Sequence, residues 1–258
     1  MIRNRTKTPS RPAAVALAAG VLATAQAAFA SGPCDVVVFA EGFESATTDP
    51  RFETFFAGQT FQGDGGILWL VENNSIDIVT NDAEPSNFRV YEGRYAVDLS
   101  GFSFGTISIE IPVEAGRRYE LAFRYARNGI APAASVAYSV IGGGEALASG
   151  SVTHDIGFSE YLLETARFVA NADSVTLRFE NTEGRGPAGI ALDAVSVTRL
   201  AEPCRVDLDG DCEPTLFDFL AFQNLFSAGD PIADFDGDGA LTIFDFLAFQ
   251  NAFAAGCP

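Results

Sequence analysis

Thr106-Ile-Ser-Ile-Glu-Ile-Pro-Val113 sets an isoleucine at every second position, with Thr, Ser, Glu and Pro between them. Successive side chains of a β-strand point to opposite faces, so this stretch predicts a strand with one apolar and one polar face. The same period runs through Tyr119-Glu-Leu-Ala-Phe-Arg-Tyr125 and Ser174-Val-Thr-Leu-Arg-Phe-Glu180. Working outward, Val36–Phe39, Ile67–Val71, Ser75–Val79, Arg94–Leu99, Ser135–Val140, Ala146–Thr153, Tyr161–Val169 and Gly189–Val197 read as further strands between Gly, Asn, Asp and Pro turns. Many short alternating strands, with no amphipathic helix among them, predict a mainly β domain over residues 31–200, an antiparallel jelly-roll β-sandwich. Such a length buries a full core of its own.

Upstream, Arg3, Arg5, Lys7 and Arg11 form a basic start, Ala13 to Ala25 an apolar stretch, and Ala28-Phe29-Ala30 a small-residue cleavage pattern. This is the layout of a cleaved secretory signal peptide over residues 1–30, so the mature chain is expected to be secreted, extracellular and associated with a cell surface. No later segment has the length to span a membrane. Without the first thirty residues the chain keeps 12 basic and 34 acidic residues, a net charge of −22, and no lysine. That charge repels nucleic acid and anionic membranes and attracts divalent cations.

Downstream of a short linker at Ala201-Glu-Pro203, an acidic run occurs twice at an offset of 27 residues, from Asp207 to Asp218 and from Asp234 to Asp245. Each copy continues into Phe-Leu-Ala-Phe-Gln-Asn. Carboxylates at positions 1, 3, 5 and 12 of such a loop surround a calcium ion. The expected ligands of the first loop are Asp207, Asp209, Asp211, the carbonyl of Glu213, Thr215 through water, and Asp218. Those of the second are Asp234, Asp236, Asp238, the carbonyl of Ala240, Thr242 and Asp245. Position 6 needs positive φ, which Gly239 supplies in the second loop, whereas the first has Cys212. The first site is therefore expected to be the weaker one unless a disulfide holds Cys212. The following helices are apolar nearly all round, more than two helices can hide against each other, so part of that surface is expected to meet a partner or the sandwich.

Two calcium loops, each followed by a single helix, resemble the F-hand loops of dockerin modules. The helices and the final Ala255-Gly-Cys-Pro258 are similar to the GC-type dockerins of bacterial exported proteins. The resemblance implies calcium as cofactor and a docking role for residues 203–258, with a cohesin-like or other docking protein as partner. In the cellulosomal type, loop positions 10 and 11 make the main contacts. Here they are Leu216-Phe217 and Ile243-Phe244, apolar where that type carries hydroxyl or mixed polar pairs.

Residues 34–200 resemble bacterial choice-of-anchor domains with a galactose-binding-like sandwich. The resemblance rests on Glu41-Gly-Phe-Glu44, Ser75-Ile-Asp-Ile-Val79, Gly93-Arg-Tyr-Ala-Val-Asp-Leu-Ser-Gly101 and Gly189-Ile-Ala-Leu-Asp-Ala-Val-Ser-Val197. It implies binding of a polysaccharide or cell-envelope component. Glu44 and Asp193, near the two ends of the domain, are candidates for a structural calcium. Sugar contacts would draw on Trp69, Tyr91 and Tyr95 with Asp77, Asn87, Arg89 and Asp98, although Trp69 in Ile-Leu-Trp-Leu-Val also fits a core position. Four cysteines in an exported chain predict disulfides. Cys204 and Cys257 bracket the repeat and are expected to clasp it, which leaves Cys34 to pair with Cys212, to stay free or to carry a lipid. The single histidine, His154, is expected in an exposed turn; with no nucleophile motif or histidine cluster, the chain is expected not to be an enzyme. A structural cell-envelope protein that binds other proteins is the alternative, and a polysaccharide hydrolase the remaining one.

Overall fold

The computed structural model describes residue 32 and residues 34–47, 52–81 and 89–257; the signal peptide expected at residues 1–30 and Asn87 lie outside the described residues. Thirteen strands are found among the described residues: β1 (Val36–Glu41), β2 (Phe52–Phe56), β3 (Thr60–Gln62), β4 (Leu68–Asn73), β5 (Ser75–Thr80), β6 (Tyr95–Asp98), β7 (Thr106–Pro112), β8 (Arg118–Arg127), β9 (Ala134–Gly142), β10 (Glu145–His154), β11 (Leu162–Val169), β12 (Ser174–Glu183) and β13 (Ile190–Arg199). They form two antiparallel sheets, ordered β11-β8-β13-β6-β5-β2 with β1 on β13, and β10-β9-β12-β7-β4-β3. In β7 the isoleucines at 107, 109 and 111 enter the core, where Trp69, Phe123 and Phe179 also lie. Trp69 is a fully buried core residue.

β2 and β3 are absent from the strands predicted above. The chain changes sheets between them, since β2 pairs with β5 and β3 with β4. Each piece is too short to show a period, and apolar residues occupy both parities of Phe52-Glu-Thr-Phe-Phe56. Phe55 and Phe61 turn inward and meet at 5.5 Å, which fixes the corner.

After the sandwich come two helices, α1 (Leu216–Ala228) and α2 (Ile243–Ala255). Each opens with a capping box: Thr215 and Thr242 accept from the amides of Phe217 and Phe244, and Asp218 and Asp245 accept from the threonine amides. α1 stops at Gly229, whose φ of 73° only glycine adopts at little cost. The helices meet through Phe222 and Phe249, which occupy equivalent places in the repeat and stack at 4.2 Å. Phe235 closes this small core edge-on to both rings, with the Arg205 guanidinium 4.3 Å from its own centroid.

Cys204 and Cys257 form a disulfide that joins the ends of the module, as the sequence suggested. Of the alternatives left open for Cys34, the structure takes the bond to Cys212. That bond ties the first acidic loop to the start of β1. The closed loop spans 178 residues, and the chain-entropy model gives such a bond about 5 kcal/mol.

Candidate functional site

The two acidic loops are built alike, almost bond for bond. Asp207 accepts from the amides of Gly210 (2.8 Å) and Cys212 (3.1 Å), and Asp234 from those of Gly237 (2.8 Å) and Gly239 (2.9 Å). Asp209 accepts from Asp211 and Asp236 from Asp238, both at 3.1 Å. Asp211 and Asp238 accept from the amides of Glu213 (3.0 Å) and Ala240 (2.8 Å). The buried carboxylates at the twelfth position close each ring from the first turn of the helix, where Asp218 binds the amides of Leu208, Asp209 and Thr215, and Asp245 those of Asp236 and Thr242. Cys212 carries the positive φ of position 6 at 78°, close to the 84° of Gly239, with its sulfur held by Cys34.

One oxygen each from Asp207, Asp209, Asp211 and Asp218 lie within 4.8 Å of one another, as do those of Asp234, Asp236 and Asp245. Asp238, expected as a ligand, is not in the second of these sets. Thr215 and Thr242 use their hydroxyls to cap the helices. Desolvation and the carboxylates of Asp211, Asp218 and Asp207 push Asp209 above its ordinary range. In the second loop the Asp238 amide lowers Asp236, but desolvation and the carboxylates of Asp238, Asp245 and Asp234 outweigh it. At the twelfth position desolvation raises Asp218, but the backbone amides, that of Thr215 foremost, outweigh it; for Asp245 the Thr242 amide leads and desolvation is again outweighed. Both carboxyls are held below their ordinary range, so they stay ionised. Clustered carboxylate oxygens are hard donors of the kind that suit a calcium ion.

Leu216, Phe217 and Leu220 on α1, and Ile243, Phe244 and Leu247 at the matching places on α2, point to solvent. The module thus divides its apolar residues in two. Phe222, Phe249 and Phe235 fill the interior, and these two triplets stay outside.

In the sandwich, Glu44 and Asp193 come to the same segment as acceptors of backbone amides. Glu44 takes Arg94 (2.8 Å) and Tyr95 (3.0 Å), and Asp193 takes Tyr91 (2.8 Å) and Glu92 (3.2 Å). Among the described residues they belong to no set of three carboxylates whose oxygens lie within 4.8 Å. A bulge in β13, with Ala194 at φ 47°, turns Asp193 toward this segment. Its burial pushes its carboxyl up to about 7 against the amides that hold it. Glu41 shows the same balance. It accepts from Phe43 (2.6 Å), Asp64 (3.1 Å) and the Trp69 indole (2.8 Å), yet burial pushes it to about 7.

Of the residues considered for sugar contact, Tyr91 is exposed and lies under the Arg124 guanidinium at 4.7 Å. Tyr95 and Trp69 are buried in the core. Asp98 is wholly buried, so it cannot reach a surface ligand; burial holds its carboxyl well above the usual range, and it accepts from Asn128 at 3.1 Å. Arg89 is exposed, and Asp77 is half-buried directly opposite Asp98. His154 is the plain correction. The expected exposed turn residue is fully buried, with Nε2 at 2.7 Å from the Glu160 carbonyl and its ring edge-on to Tyr125, because the 155–160 turn folds back over the end of β10. Sequence reasoning also passed over Phe52, Phe56 and Phe102, whose rings are exposed. Phe52 and Phe56 sit in a strand too short to show a period and Phe102 in the loop between β6 and β7, so the sequence gives no sign of which face they take.

The family described as a protein of unknown function (DUF642) matches residues 42–198. No curated protein matches the chain. Among solved structures the chain is similar to TmCBM61 in complex with β-1,4-galactotriose, at 20% identity over 61% of this chain and 94% of that one, TM-score 0.41. It is similar to the CBM22-1 xylan-binding domain from Paenibacillus barcinonensis Xyn10C, at 15% identity over 68% of this chain and 100% of that one, TM-score 0.40. An apo cyclase from Fischerella sp. is similar at 15% identity over 64% of this chain and 97% of that one, TM-score 0.45. Sugar-binding domains and a cyclase stand side by side at these identities, and none of their ligands or activities transfers to this chain on that ground.

Proposed function

The chain belongs to the DUF642 family, whose function is unknown, and we propose a role for it from its own residues. It is an exported, non-enzymatic carbohydrate-binding or adhesion protein, held at a surface or in a complex by a calcium-dependent C-terminal docking module. The observation that carries this reading is the pair of acidic loops with matching bonds, set beside two matching apolar triplets that face solvent. Calcium neutralises carboxylates that otherwise repel one another, so metal binding and folding of the module are coupled. Asp207, Asp209, Asp211 and Asp218 hold one ion, and Asp234, Asp236 and Asp245 the other. Both ions are structural. They fix α1 and α2 so that Leu216-Phe217 and Ile243-Phe244 present a partner-binding surface.

The sandwich carries the ligand-binding half of the role. Its histidine is sequestered under a turn, which leaves no imidazole at the surface to act as a base among the described residues.

Adding a chelator to the full chain tests the calcium reading. The helical circular-dichroism signal of α1 and α2 collapses while the fluorescence of Trp69, the lone tryptophan, is unchanged. A helical signal that survives chelation would sink it. For the sandwich, absence of binding to every plant, algal and bacterial polysaccharide on an array removes the carbohydrate half.

A further inference from the structure

The outward face of β2 carries Phe52, Thr54 and Phe56 at every second position, and both phenylalanine rings are exposed. Phe56 stacks on Phe102 of the β6–β7 loop, with centroids 5.8 Å apart and planes 15° from parallel. Phe102 is 74% exposed, the highest exposure among the exposed large apolar side chains of the described residues.

This ring is held out by design of the loop beneath it. The Phe102 amide donates to Ser75 Oγ (2.8 Å), the Gly101 amide to the Ser75 carbonyl (3.1 Å), and the Asn74 side chain to the Phe104 carbonyl (2.7 Å). The loop lies so close to β5 that a Cβ on Gly105 would sit 2.5 Å from the Ser75 carbonyl oxygen. A loop pinned at three points that still presents its largest apolar side chain to water is a pre-organised contact surface. Beside the rings, Thr54 donates to the half-buried Asp77 carboxylate at 2.5 Å. Flat apolar faces thus alternate with hydrogen-bonding groups along one strand, and Phe52 to Phe56 spans about 14 Å at the rise of a β-strand.

We infer that Phe52, Phe56 and Phe102, with Thr54 and Asp77, form a binding platform for a neutral polysaccharide chain. The inference rests on the carbohydrate-binding reading above and deepens it. Pyranose rings offer apolar C–H faces to aromatic rings and hydroxyls to the groups at their edge, which is the alternation found here. Asp77 and the chain's excess of acidic residues turn away anionic glycans and membranes, which leaves a neutral chain as the occupant.

The test is affinity electrophoresis of the full chain through gels containing soluble galactan, xylan or mixed-linkage glucan, with polygalacturonate as the anionic control. At least one neutral gel retards the wild type, and polygalacturonate does not. Phe102→Ala and Phe56→Ala each weaken that retardation at least tenfold with no change in unfolding midpoint, since both rings are exposed. Phe102→Trp retains binding and Phe102→Leu loses it, because leucine keeps the apolar character without the flat face. If the wild type binds a neutral glycan and these variants bind it equally, the platform is refuted while the carbohydrate reading stands. A wild type retarded by no neutral gel overturns both together. If Phe102→Ala alters only sedimentation, from dimer to monomer, the patch is a self-association surface and the inference falls.

Discussion

Replacing Glu41 by glutamine tests whether burial or hydrogen bonding governs this carboxyl. Glu41 is almost wholly buried, and three N–H groups, from Phe43, Asp64 and Trp69, point at it. Desolvation still outweighs them and raises its pKa from 4.5 to about 7. The folded chain therefore keeps a proton that the unfolded chain releases above pH 4.5. The stability this contributes is fully present below pH 4.5 and is lost as pH rises through 7. At about 1.4 kcal/mol per pH unit, the gap amounts to roughly 3 kcal/mol between pH 4 and pH 8.5. Glu41→Gln removes that dependence and adds a pH-independent loss of about 1–3 kcal/mol, because an amide NH₂ now faces N–H donors. The advantage of wild type over variant is thus largest in acid and shrinks by about 3 kcal/mol in alkali. Urea unfolding at saturating calcium between pH 4 and 8.5 reads it through Trp69, which donates to Glu41 itself. A difference that stays constant over this range would refute the reasoning and show that the N–H donors keep Glu41 ionised throughout.

Phe222→Ala opens a cavity beneath the stacked ring of Phe249 and costs the module about 3–5 kcal/mol in thermal unfolding. Phe217→Ala and Phe244→Ala, at exposed positions, change stability by less than about 0.5 kcal/mol. Cys34→Ser with Cys212→Ser frees the first loop from β1, and calorimetric calcium titration then shows the first site weakened relative to the second. Gly93→Ala forces a Cβ to 2.2 Å from the Glu44 carboxylate at a φ of 63°; strain from the dihedral alone is about 1–2 kcal/mol, read as a lower unfolding midpoint.

The acidic loops were legible in the sequence because each loop bonds to itself. Asp207, Asp209 and Asp211 bind amides two to five residues ahead, so the spacing of the carboxylates dictates the local geometry. The strands with strict alternation were legible for a related reason, since Ile107, Ile109 and Ile111 need only their own period to choose a face. β2 and β3 carry no such period, and the chain's crossing between the sheets, held by Phe55 against Phe61, decides them. His154 looked like a turn residue because its neighbours are polar. It is buried by a turn that closes over it from the following residues.

Local pattern by itself determined that the chain makes a β-sandwich and then a twofold acidic repeat leading into helices. Tertiary structure alone decided which phenylalanines are core and which are surface. It joined Cys34 to Cys212, and it put Glu44 and Asp193 on one segment as amide acceptors. The reason is physical: period and loop spacing act over a few residues, whereas burial is set by whichever distant element covers a side chain, and the sequence around that side chain does not encode its cover.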